Sequence, residues 1–142
     1  MAGIDLATGE VLGIVRPRHR SAEFVEWLQA LDARYGPETK IQVVLDNHSA
    51  HTSRETRAYL ATRPNRFEFV FTPVHASWLN LMEMFFAKLA KQCLRGIRVA
   101  SVAELQARLE QYLAGVNTDP VPFRWRWRLE SADASPSQQD AI

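Results

Sequence analysis

The stretch VVLDNHSAH, residues 43–51, carries an apolar run into a carboxylate, an amide and two imidazoles: Asp46, Asn47, His48 and His51. Together with Lys40 to Gln42 it forms KIQVVLD, a continuous apolar run of the kind expected for a strand covered on both faces. The carboxyl end of such a strand is where open α/β sheets form a ligand crevice. A polar turn after a buried strand is the plainer alternative.

Outward from that strand, the pattern alternates. Upstream, AGIDLATGEVLGIVR (2–16) has two short apolar runs around Ala7-Thr8-Gly9, which predicts a β-hairpin. SAEFVEWLQALDARYG (21–36) places Phe24, Trp27, Leu28 and Leu31 at helical spacing, with Ser21 as expected N-cap and Gly36-Pro37 as stop. Downstream, Thr52 and Glu55 have capping-box spacing and open a short helix ending near Pro64. RFEFVFTP (66–73) then returns to strand, with Phe67, Phe69 and Phe71 on one face. The longest helix candidate is SWLNLMEMFFAKLAKQCLRG (77–96), whose apolar stripe is Met82, Phe85, Phe86, Leu89 and Cys93. Ser101 and Glu104 form a second capping box opening SVAELQARLEQYLAG. The order predicts an α/β domain with a mixed sheet, the hairpin supplying its antiparallel part. Residues 130–142 are expected to be a flexible tail after one domain spanning 1–129.

With 142 residues, 46% of them hydrophobic, the chain can bury a core without disulfide or metal staples. Its net charge of +1 leaves only local clusters to argue for a nucleic-acid partner. Cys93 is the single cysteine, so no internal disulfide forms. No stretch reaches the length of a membrane span and no signal-peptide pattern opens the chain, so a cytoplasmic location is expected.

Two carboxylates, Asp46 and Glu83, are placed to meet at one sheet edge, where magnesium would find the oxygen ligands it prefers. Paired metals about 4 Å apart suit phosphodiester cleavage, although that chemistry normally takes a third carboxylate. Ordinary turn and capping roles fit both acids as well. His48, His51 and His75 with Asp46 offer zinc as a further alternative. Basic residues gather at Arg16, Arg18 and Arg20, and again at Lys88, Lys91, Arg95 and Arg98, where they suit a phosphate backbone or a solvated face. PFRWRWR (122–128) alternates Phe123, Trp125 and Trp127 with Arg124, Arg126 and Arg128, fit either for base stacking with phosphate pairing or for an aromatic strap over the domain.

Taken in order, VVLDNHSAH, FTPVHASWLNLMEMFFAKL, the SVAEL helix and NTDPVPFRW resemble the catalytic domain of bacterial insertion-sequence transposases of the mariner-like DDE superfamily. The resemblance covers residues 2 to 127. It implies an RNase H-like fold and cutting and joining of DNA at transposon terminal repeats with Mg2+ or Mn2+. It matches Asp46 and Glu83 to the second and third acids of the catalytic triad, separated by 36 residues. Asn47, His51 and Asn80 match neighbouring positions expected to support the site, and Arg16, Arg18, Arg20, Lys88, Lys91, Arg95, Arg124 and Arg126 are the expected DNA contacts. The family's first acid lies on an opening strand upstream of AGIDLATGEV and has no counterpart here; Asp5 belongs to the second strand of the pattern. The expectations are a sheet lacking its first strand, weak metal binding, little activity alone, and dimerisation or pairing with another transposase chain. A non-catalytic remnant that binds DNA or full-length transposase is the alternative, with a zinc hydrolase third.

Overall fold

The computed structural model describes residues 1–72 and 77–121, apart from the side chains of 77–81. The opening hairpin forms as expected. Strands β1 (Ala2–Ile4) and β2 (Val11–Gly13) pair antiparallel, with Ala2 opposite Gly13 and Ile4 opposite Val11. Their connection is drawn tight by Asp5, whose carboxylate accepts from the Ala7 and Thr8 amides at 2.8 and 3.2 Å. Gly9 completes the turn at φ +79°, a left-handed value that a Cβ makes costly.

Helix α1 (Ser21–Arg34) follows, then strand β3 (Ile41–Leu45), a 3-10 turn (Ser49–Thr52), helix α2 (Arg54–Ala61) and strand β4 (Phe67–Phe71). β3 and β4 run parallel in register from Ile41 opposite Phe67 to Leu45 opposite Phe71, with α2 as the crossover that parallel strands require. The expected single mixed sheet is instead two separate two-stranded sheets among the described residues. β1 and β3 do not pair, and both line one cleft.

α1 supports both sheets. Phe24, Leu28 and Leu31 form the core with Ile41, Val43 and Leu45, while the Trp27 indole N–H donates to the Leu12 carbonyl of β2 at 3.1 Å. Phe24 and Leu28 are 2% and 0% exposed, each contributing about 1.5–3 kcal/mol by burial. The expectation that β3 is covered on both faces fails: its residues alternate buried and exposed, Gln42 and Val44 facing outward. The apolar character of Val44 therefore does not report core burial, and Val70 on β4 is likewise exposed.

The C-terminal end of α1 is held by Arg66, which lies just before β4 and is 7% exposed. Its guanidinium pairs with the Asp32 carboxylate at 2.8 Å and donates to the carbonyls of Asp32, Tyr35, Gly36 and Thr39. Carbonyls that a helix end leaves without partners are thus satisfied by one planar fork.

The caps differ from expectation by one residue in two places. Arg20, not Ser21, is the N-cap of α1, and the Glu23 carboxylate accepts from its backbone N–H at 2.9 Å. Ser53, not Thr52, caps α2 through the Thr56 N–H, because Thr52 is taken up by the 3-10 turn. Ser101 does cap helix α4 (Val102–Thr118), accepting from the Glu104 amide at 3.1 Å.

The long helix is shorter than its apolar stripe suggested. α3 (Ser77–Leu89) gives way to a π-helical turn, Ala90–Leu94, and Gly96 follows at φ +71°. Of that stripe only Leu89 is fully buried, and Phe86 is 45% exposed. α4 returns to the hairpin, where the Asn117 amide both donates to the Val11 carbonyl and accepts from the Val11 N–H, each at 2.7 Å. Residues 122–142, including the expected strap and tail, lie outside the described residues.

Candidate active site

Asp46 sits immediately after β3, where the strand's alternation leaves it exposed. The following 3-10 turn brings His51 back over it. His51 Nδ1 lies 2.8 Å from the Asp46 carbonyl oxygen and 3.2 Å from its carboxylate. A carbonyl only accepts, so Nδ1 carries the proton and points the imidazole's other nitrogen away from the strand. The ring is fixed from behind by Phe24, centroid to centroid 4.4 Å. This packing brings His51 against Asp46 at the strand end.

His48 has a different task. Its Nδ1 accepts from the Ala50 amide at 3.2 Å, capping the 3-10 turn. Its ring lies 5.5 Å from that of His51 and 6.2 Å from that of His19. His19 stands out in the sequence only as a member of the basic run RPRHR. Burial lowers its pKa, aided by the Met1 ammonium and the two neighbouring histidines.

Glu83 is exposed on α3, between Met82 and Phe86, and those two apolar neighbours line the same cleft as Asp46 and His51. Asn47 is exposed beside Asp46. The side chain of Asn80 and the whole of His75 lie outside the described residues. Asp5 is occupied by its turn and by the Tyr35 hydroxyl, which donates to it at 2.7 Å. Burial raises its pKa, but the Tyr35 and turn hydrogen bonds outweigh this and hold it below the usual carboxylate value.

The expected DNA contacts, and Arg98 of the same basic run, divide into three groups. Arg16 is paired with Glu26 and Arg20 with Glu23, so their charges are already met. Arg18, Lys88, Lys91, Arg95 and Arg98 are exposed. Arg124 and Arg126 lie outside the described residues.

The family described as DDE superfamily endonuclease matches residues 1–106, three quarters of the chain and both Asp46 and Glu83. The chain belongs to the DDE superfamily of endonucleases. It is 28% identical over 113 residues to the insertion element IS630 uncharacterized 39 kDa protein of Shigella sonnei, covering 80% of this chain. The match covers 33% of that protein, so the chain spans about a third of the relative's length.

DDE superfamily endonucleases generally use divalent metals. The donor chemistry of this chain meets that need only in part. Asp46 and Glu83 offer the hard oxygen ligands that magnesium takes. Among the described residues, however, no three His, Cys, Asp or Glu side chains gather to hold a metal ion. Of the histidines expected as zinc ligands, His48 and His51 each use Nδ1 on the backbone, and His75 lies outside the described residues.

Proposed function

We propose that this DDE domain is part of an insertion-sequence transposase with an RNase H-like fold, spanning residues 1–129, and that it acts on DNA at transposon ends. The observation that carries the reading is the family match across both Asp46 and Glu83, with Asp46 presented at an open strand end and held there by His51. In this reading Asp46 and Glu83 supply two acids of a three-acid set for Mg2+ or Mn2+. His51 orients the Asp46 segment, and Asn47 and Asn80 support it. With no group of three metal-ligating side chains among the described residues, the reading has the isolated chain bind metal weakly and show little cleavage or strand-transfer activity.

The incomplete donor set favours a second reading for the chain acting alone: a non-catalytic module that binds DNA or a full-length transposase. Arg18, Lys88, Lys91, Arg95, Arg124 and Arg126 make the phosphate contacts in either case, whereas Arg16 and Arg20 must first release Glu26 and Glu23. A cytoplasmic location follows from this role; no helix among the described residues is long and apolar enough to cross a membrane.

The deciding experiment measures binding and Mg2+-dependent nicking of a duplex carrying the element's terminal repeat, alongside the Asp46→Asn and Glu83→Gln variants. Binding unchanged by either variant, with no nicking, is the expected result for the isolated chain. Nicking abolished by both variants would overturn its assignment as inactive, and absence of DNA binding at low salt would overturn the first reading and leave of the second only its transposase-binding arm.

A further inference from the structure

Helix α2 carries a hydroxyl where its pattern leaves room for an apolar side chain. Thr56, Tyr59 and Leu60 recur at helical spacing and turn toward the core, and Thr56 is 0% exposed. Valine would fill the same volume without a polar atom, and a buried hydroxyl costs stability unless it is hydrogen-bonded. The bonds of Thr56 therefore show what its hydroxyl holds.

Thr56 Oγ1 donates to the Ala50 carbonyl at 2.6 Å. A carbonyl only accepts, so this bond takes the single proton of the hydroxyl. Ser53 completes the arrangement: its Oγ accepts from the Thr56 N–H at 3.2 Å and donates to Thr56 Oγ1 at 3.0 Å. The N-cap of α2 and the buried hydroxyl thus form one directed chain of hydrogen bonds that ends on Ala50.

Ala50, 5% exposed, immediately precedes His51. The peptide unit joining them is held at both polar ends, its carbonyl by Thr56 and its N–H, that of His51, by the His48 carbonyl at 2.9 Å. A planar unit held at both ends sets the direction in which the His51 side chain leaves the backbone. That direction lays the imidazole against Phe24 and brings Nδ1 to 2.8 Å from the Asp46 carbonyl oxygen. The Asp46 side chain, 57% exposed, stays open at the strand end.

We propose that Thr56 is a positioning residue for Asp46, acting through the Ala50 carbonyl and the His51 imidazole. With the hydroxyl in place, the turn presents His51 Nδ1–H to the Asp46 backbone. Without it, the peptide unit between Ala50 and His51 turns toward another donor, and the imidazole leaves Asp46. What Asp46 does once positioned rests on the transposase reading; how it is positioned does not.

The test compares Thr56→Val, which keeps the shape and removes the donor, with Thr56→Ser, which keeps the donor and removes a methyl group. Long-range proton–nitrogen spectra of the full chain labelled with nitrogen-15, at about pH 8.5 where an ordinary imidazole is neutral, read which ring nitrogen of His51 carries the proton. The wild type and Thr56→Ser should carry it on Nδ1, and Thr56→Val should carry it on Nε2 in most molecules. A hydroxyl that serves stability alone lowers the urea midpoint of Thr56→Val and leaves the proton on Nδ1, which would overturn the proposal. So would its absence from Nδ1 in the wild type or in Thr56→Ser. Thr56→Cys, whose thiol is a weak donor, replaces the valine variant if that one does not fold, with the same expected result.

Mn2+ added to each labelled chain reads the consequence at Asp46. Broadening of the Asn47 amide should need about tenfold more Mn2+ in Thr56→Val than in the wild type or Thr56→Ser, the low end of what losing an outer-shell partner of a metal ligand costs. An equal requirement in all three would overturn the effect of Thr56 on Asp46. A wild type whose Asn47 amide is not broadened would overturn Asp46 as a metal ligand, and the His51 proton alone then decides the role of Thr56.

Discussion

Replacing Arg66 with alanine tests whether one side chain unites α1 with the β3–β4 unit. The guanidinium is 7% exposed and meets the Asp32 carboxylate and four carbonyls at the end of α1 and its following loop. Removing one partner of a buried ion pair typically costs about 3–5 kcal/mol, chiefly because the remaining groups stay desolvated. Asp32 softens that cost: it is 21% exposed and keeps Arg63 at 2.7 Å. The expected loss is therefore about 3 kcal/mol, near the lower end of that range. For a chain of this size that lowers Tm by roughly 10 °C. Equilibrium urea unfolding gives the free energy directly, with an unchanged m-value showing that the variant reaches a comparable native state. Arg63→Ala is the control, because Arg63 is 47% exposed and its pairing with Asp32 is worth no more than about 1 kcal/mol. Equal losses for the two variants, or a loss below about 1 kcal/mol for Arg66→Ala, would refute the assignment of Arg66 as the clamp.

Three further outcomes follow from local geometry. The His19 pKa is lowered, so the unfolded chain binds more protons as pH falls below the ordinary 6.5; stability drops through that window, and His19→Asn should flatten the urea midpoint between pH 7.5 and 5.5. The Asp5 pKa is also lowered, so its contribution is present above the ordinary 3.8 and lost as pH falls through the folded value, a decline that Asp5→Asn should remove from the acid-unfolding curve. Gly9→Ala forces a left-handed side-chain residue and drives its Cβ into the Val121 carbonyl; calorimetry should show at least about 1–2 kcal/mol of destabilisation.

Much of this fold was legible because its signals are local. Phe24, Trp27, Leu28 and Leu31 mark the buried face of α1, and Ala7-Thr8-Gly9 marks the hairpin turn. Ser101 and Glu104 announce the start of α4 for the same reason: the cap is made by residues three apart. The cap expected at Thr52 fell one residue later because adjacent Ser53 can also accept from a helix amide, whereas at α1 the helix opens at Arg20 with Glu23 reaching back to its backbone N–H. The burial of β3 was misjudged because Val44 is apolar in sequence whether or not a second layer covers it. Arg66 gave no signal, since a buried arginine depends on carbonyls supplied some thirty positions earlier. At the candidate site, proximity of Asp46 and His51 follows from a short turn. The joining of His19 to that group, and the parting of the two sheets, depend on long-range packing that spacing does not encode.

The two bonds between Asn117 and Val11 span 106 positions of chain. They impose an order on how the molecule comes together. The α1, β3, α2 and β4 segments meet through comparatively short loops, whereas Asn117 closes the edge of β2 only when α4 returns to it. Loop closure makes such distant pairing the slower event. The expectation is that β3 pairs with β4 before the hairpin is locked opposite it. Hairpin amides should exchange through a lower-energy opening than those of β3 and β4, making the wall at Ala2 and Ile4 a hinged jamb against a fixed one.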